Sequence, residues 1–133
     1  MDILVEHKGG MRFTAGCRGY TVVSGKGEPG DGGEDGMWPG DLFAASLGMC
    51  IAGYIAGYCR NHGIPWEGMS VEMDRESARA PGRLARVAAR VRLPGEVSEK
   101  DRKGILAVAD RCYITQSIVH GMDIDVSLEP RDE

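Results

Sequence analysis

The chain is 133 residues long, the size of a single domain and enough to bury about two-thirds of its unfolded surface. Apolar residues at 42% and charged residues at 27% are ordinary for a folded soluble protein and exclude both wholesale disorder and a disulfide-stapled miniprotein. A formal charge of −4 argues against a broad nucleic-acid surface, and aromatics at 6% leave the core to small and aliphatic side chains.

In chain order, Ile3 to His7, Met11 to Thr14 and Tyr20 to Val23 read as short strands, with Gly9-Gly10 as a hairpin turn between the first two. Gly25 to Gly36 is glycine-rich and acidic with one proline, Pro29, and is expected to be a mobile loop. Pro39-Gly40-Asp41 marks a helix start, with an acid in the first turn. Leu42 to Cys59 then runs 18 residues without a charge. That length touches the lower limit for a membrane span. Its glycines, alanines, serine and tyrosines make it too mildly apolar for one, so it reads as a central helix of a soluble core. Small residues recur at Ala44, Gly48, Ala52 and Ala56, and at Gly53 and Gly57, which admits close approach by a second helix, such as the same helix of another subunit. His62-Gly63-Ile64-Pro65 ends the helix.

Met69, Val71 and Met73 alternate with polar residues, and so do Val87, Ala89, Val91 and Leu93 beyond a turn at Ala80-Pro81-Gly82. The polar side is acidic on the first strand and basic on the second, which favours an antiparallel hairpin with a solvated outer face. Ser98-Glu99-Lys100-Asp101 resembles a capping box opening a second helix, whose apolar positions Ile105, Val108, Ala109 and Cys112 share one face. Met122, Ile124, Val126 and Leu128 alternate with Asp123, Asp125 and Ser127 as a closing half-buried strand. The class is α+β, in one domain over 1–133, without internal repeats.

No secretory signal is apparent in Met1 to Lys8, so a cytoplasmic, reducing compartment is expected and the four cysteines are not read as structural disulfides. Cys50 lies mid-helix and Cys112 on the inward face of the second helix, so the two can meet or can each be inert core residues. A thiol pair would do redox chemistry, which needs a thiolate. Cys50 is too far into its own helix to gain from that helix's dipole, so a cation must help. Arg12 and Arg18 are the candidates, because Arg60 is ten residues further along the same helix. Asp41, more than two turns before Cys50, would orient the arginine, ahead of Glu34 or Asp35. Cys59 and His62 form a C-x-x-H pair, half of a metal site with no other half, and Cys17 sits in a glycine-rich turn. No cofactor or metal is expected.

The segment Pro39-Gly40-Asp41-Leu42-Phe43-Ala44-Ala45-Ser46-Leu47-Gly48-Met49-Cys50 resembles the P-x-E-L-L-x-A-A-L-G-x-C motif of the OsmC/Ohr family. Leu93-Pro94-Gly95 with Val97-Ser98-Glu99, and Ala109-Asp110-Arg111-Cys112, resemble the family's later motifs in the same order, 61 residues separating the two cysteines. The resemblance implies an intertwined α+β homodimer, with two central buried helices packed against antiparallel sheets and active sites at the dimer interface. It also implies a thiol peroxidase acting on organic hydroperoxides or hydrogen peroxide, reduced by a dithiol, in some members a lipoyl protein. Carried over by position, Cys50 is the peroxidatic thiol, Cys112 the resolving one, and Arg18, or else Arg12, the activating arginine. The family's glutamate falls at Asp41 or Gly40, and Tyr113-Ile114 follows Cys112 where many members have proline. The alternatives are a non-peroxidatic protein on the same fold, binding a small apolar or thiol-containing ligand at the dimer interface, and a dimerisation domain with inert cysteines. Neither nucleic acid nor membrane is expected as a partner.

Overall fold

The computed structural model describes residues 2–130. Its elements are β1 (Leu4–His7), β2 (Phe13–Cys17), β3 (Tyr20–Ser24), α1 (Pro39–Asn61), β4 (Ser70–Arg79), β5 (Gly82–Arg92), α2 (Glu99–Asp110) and α3 (Tyr113–His120). Residues up to Ser46 together with Met73–Ala89 form one compact unit, and Leu47–Glu72 with the chain from Arg90 onward form the other.

In the first unit β1, β2 and β3 make an antiparallel meander, with Val5 opposite Ala15 and Ala15 opposite Val22. The β2–β3 connection is the two-residue turn Arg18-Gly19, with φ of 50° and 85°, the left-handed pair that a tight hairpin needs. The expected loop over Gly25 to Gly36 is present, and it is tied down by a buried arginine. Arg12 is 8% exposed, and its guanidinium grips the carboxylate of Asp31 with two bonds of 2.9 and 3.0 Å and that of Asp35 with one of 2.9 Å. Those carboxylates in turn accept the backbone N–H groups of Gly33 and Gly27. A Cβ on Gly27 or Gly33 would run into the Arg12 guanidinium, so glycine serves here for close approach as well as for turning. The composition signalled a loop, but it carried no sign that a buried arginine would tie it down.

The second unit holds the apolar cluster. Ile55, Cys59, Ile64 and Ile105 form its buried centre, surrounded by Ile51, Tyr58, Trp66, Val91, Leu93 and Val108 among others. It joins the last turns of α1 to α2 and the end of β5. α1 matches its expected start and end. Only a third of its most apolar stretch is buried, and among the described residues it is the one helix long and apolar enough to cross a membrane. Phe43, Met49 and Tyr54 are exposed along it, so in the single chain it is not the fully buried helix the sequence suggests.

β4 and β5 pair as the expected hairpin around Ala80-Pro81. On its outer face Glu72 accepts from Arg90 at 2.8 Å and from Arg92 at 3.4 Å. α2 begins at its predicted cap, the Asp101 N–H donating to Ser98 Oγ at 3.1 Å. It stops at Asp110, earlier than its apolar spacing implies, and a third helix, α3, follows. The closing strand is corrected too. Residues 121–130 form no strand, and Met122, Ile124, Val126 and Leu128 are between 63% and 97% exposed. An alternating strand needs a sheet to cover its apolar side, and the single chain offers none there.

Candidate functional site

The site is built where α2 gives way to α3. At the end of α2 the Arg111 N–H bonds back to the carbonyls of Val108 and Ala109. Cys112 then turns to extended geometry, with φ of −49° and ψ of 132°. Its carbonyl accepts the first α3 hydrogen bond from the Gln116 N–H at 2.9 Å. The Gln116 side chain reaches back to the Asp110 carbonyl at 2.6 Å and closes the joint. Cys112 is therefore the N-cap residue of an eight-residue helix that ends at Gly121. The signal for that helix was present in Ile114 and Ile118, one turn apart, with a glycine after His120. The alternation further on, read as a strand, masked it.

The structure brings the two predicted cysteines together. Both are free thiols, Cys112 fully buried and Cys50 partly exposed, and each is among the groups that shift the other's ionisation. Burial pushes the Cys50 thiol up, Cys112 adds to that shift, and the amides of Ile114 and Tyr113 act against it. Burial also acts on Cys112. There the Cys50 thiol, the backbone amide and hydroxyl of Thr115 and the amide of Ile114 outweigh it, holding Cys112 below an ordinary thiol. The geometry stops short of a formed side-chain cap. Even so, the start of a helix carries unpaired N–H groups and about half a positive charge.

Arg12 and Arg18, the two arginines the sequence singles out, both belong to the first unit. Arg12 is saturated by Asp31 and Asp35. Arg18 is exposed at the tip of the β2–β3 hairpin. Asp41 accepts the Trp38 N–H at 3.0 Å and pairs with Arg75 at 2.8 Å, and together these hold its carboxyl below the usual range. Sequence reasoning missed Arg75, because nothing in the alternation of β4 distinguishes it from its solvated neighbours.

Cys59 is fully buried, and burial pushes its thiol up. His62 stacks on Tyr58 with ring centres 3.8 Å apart and bonds the Tyr58 carbonyl at 2.8 Å. Among the described residues no three metal-ligating side chains cluster. Cys17, expected in a glycine-rich turn, is instead half-buried as the last residue of β2, which runs from Phe13 rather than from Met11 as the alternation suggested. An open depression of about 480 Å³ lies near the end of α1, lined by Cys59, Arg60, Trp66 and Pro94 among others, and does not include the paired thiols.

Residues 30–127 match the OsmC-like protein family over most of the chain. The chain belongs to this family. No curated protein matches it. Solved OsmC-like structures share its fold. A Psychrobacter arcticus protein ascribed to osmotic stress and detoxification responses superposes with a TM-score of 0.77 at 23% identity, over 88% of this chain and 87% of that one. An OsmC-like protein from Mycoplasma pneumoniae gives 0.73 at 15% identity, over 89% and 86%. An organic hydroperoxide resistance protein OsmC from Legionella pneumophila gives 0.62 at 20% identity, over 89% of each. Cys50 and Cys112 both fall within the matched residues.

Proposed function

We propose that this OsmC-like protein is a thiol-dependent peroxidase working through a Cys50–Cys112 dithiol–disulfide cycle. Family membership supports a thiol-redox role in general. The observation that carries the finer reading is the meeting of two free thiols, far apart in sequence, at the start of α3. Cys50 is the sulfur with solvent access and acts as the peroxidatic thiol. It attacks the outer peroxide oxygen, the O–O bond breaks, and an alcohol or water leaves with Cys50 as a sulfenic acid. Cys112 then displaces hydroxide from the Cys50 sulfur to form a disulfide. An external dithiol, such as a lipoyl protein, restores both thiols by exchange. Phe43, Leu47 and Tyr54 on α1 favour organic hydroperoxides over hydrogen peroxide.

The working unit we propose is a homodimer in the cytoplasm. Two observations support it: the alternating apolar residues of 122–128 with no sheet of their own, and open space beyond Gly53 and Gly57 on α1.

The deciding experiment treats reduced protein with one equivalent of cumene hydroperoxide, followed by thiol counting and intact mass. Loss of two thiols and about two mass units, with a Cys50–Cys112 peptide recovered, is the expected result. Wild-type protein that keeps its four thiols after prolonged exposure defeats this reading. In that event a second reading stands, favoured by the raised Cys50 thiol: a non-peroxidatic protein binding a small apolar or thiol-containing ligand.

A further inference from the structure

The open depression at the end of α1 is built from three stretches of the second unit. α1 closes with the Ile64 N–H bonded back to the Cys59 carbonyl at 2.9 Å and Gly63 in the left-handed region at φ of 67°, so the chain turns sharply out of the helix. The turned segment contributes Ile64, Pro65, Trp66 and Glu67 to the lining, the last turn of α1 contributes Arg60, and Pro94 comes from the stretch after β5. Ile64 belongs to the buried cluster and Trp66 packs against it, so the core fixes the indole while it lines the depression. The volume of about 480 Å³ is within the range of small-molecule sites, roughly 300–1,000 Å³.

Arg60 gives this hollow its chemistry. It is exposed, and its guanidinium carbon stands 5.8 Å from the centre of the Trp66 ring, a cation–π contact. Among the described residues it makes no ion pair and no side-chain hydrogen bond. An arginine set against an aromatic ring keeps its N–H donors free, and their fork matches a carboxylate with two parallel bonds. Most of the remaining lining is apolar: the indole, two proline rings and Ile64. Among the described residues Glu67 is the one acid in the lining, and it is not ion-paired with Arg60. Such a site discriminates by charge. Attraction to Arg60 grows in proportion to the charge of the ligand, whereas the cost of dehydrating that charge grows with its square. With Glu67 offsetting part of the pull of Arg60, a second negative charge costs more than it returns. We infer that the hollow binds a small monocarboxylate with a flat apolar body, the carboxylate on Arg60 and the body against Trp66 and the prolines. Neither Cys50 nor Cys112 lines it, so the site does not depend on the peroxidase reading.

The test uses the full-length protein with benzoate as the probe, benzamide as its uncharged isostere and phenyl phosphate as the dianion. Binding is read by calorimetry and from the indole N–H resonance of Trp66, identified by its loss in Trp66→Phe. Benzoate is expected to move that resonance and to saturate with a dissociation constant on the order of 1 mM. Benzamide and phenyl phosphate should bind about 10-fold more weakly. Arg60→Gln, with the fold checked by circular dichroism, should weaken benzoate about 10-fold and leave benzamide unchanged, a selective loss that a damaged fold does not produce. Glu67→Gln should tighten benzoate about 2- to 5-fold, and Cys50→Ser should bind it as wild type does. A Trp66 resonance that stays put, or fails to saturate by about 20 mM benzoate, overturns the inference. Benzamide binding as tightly as benzoate overturns it by removing the role of charge, and phenyl phosphate binding more tightly replaces the carboxylate by a phosphate. Loss of benzoate binding in Cys50→Ser overturns it by moving the ligand to the thiol pair. A changed oligomeric state of Arg60→Gln in light scattering overturns it by assigning this face to a second copy of the chain.

Discussion

Arg12 shows how one side chain can convert a flexible composition into a fixed structure. Its guanidinium is buried, charged and matched by two carboxylates, although its Nε finds no partner. A buried arginine is tolerated only when its donors are largely satisfied, and the fork geometry suits bidentate pairing. Arg12→Ala should therefore release the 25–36 loop. The check is hydrogen exchange, with the Gly27 and Gly33 amides losing protection while those of α2 keep theirs. The same clasp has a pH signature. Arg12, with help from the Gly33 amide, holds Asp31 down to about 2, and Asp35 is also lowered. A depressed acid stabilises the fold above its unfolded value, about 3.9, and loses that contribution as pH falls through its folded value. Loop amides should thus stay protected at pH 5 and open between about pH 4 and 2. Exchange that is flat across that window would sink this account.

At the scale of elements, α1 and α2 meet along an apolar seam with a polar contact at its edge, from Tyr58 to Asp101. Ser98 caps α2, and Ser98→Ala should lower stability by about 1 kcal/mol in urea unfolding, without loss of the fold. Gly104 on α2 lies against the Tyr58 phenol, which donates to Asp101 at 3.0 Å. A methyl group there collides with the ring, so Gly104→Ala should cost more than the helix-propensity gain of alanine returns, about 1–3 kcal/mol net. A Gly104→Ala midpoint equal to or above wild type would contradict the packing described. The α2–α3 break matters for chemistry as well. It sets Cys112 at the start of α3, where helix N–H groups are without intrahelical partners.

At the scale of the molecule, most of the exposed apolar residues lie on β1, the outer side of α1, α3 and the C-terminal segment. A monomer seldom leaves that much apolar surface in contact with water. On the homodimer reading, a charge at Val126, 91% exposed in the single chain, should be costly. Val126→Asp should shift light scattering from dimer to monomer while leaving helix content intact. An unchanged dimer would exclude 122–128 from the interface.

The sequence by itself determined the class, the first and third strands of the meander, both ends of α1, the hairpin, the cap of α2 and the two cysteines worth watching, while it set the second strand too early, at Met11 to Thr14 rather than Phe13–Cys17. These follow from local rules: alternation, turn residues, caps and chain-wide motif order. What only the tertiary structure decided are contacts between residues distant in sequence. Arg12 fastens a loop some twenty residues on, Asp41 takes Arg75, and Cys112 closes α2 and opens α3 against Cys50. Periodicity shows which face is apolar, but a pairing of charges or sulfurs depends on which atoms the packed chain leaves within reach. For the same reason 122–128 carries a strand's pattern without a strand. The pattern specifies a surface that must be covered, and the covering partner is not encoded locally.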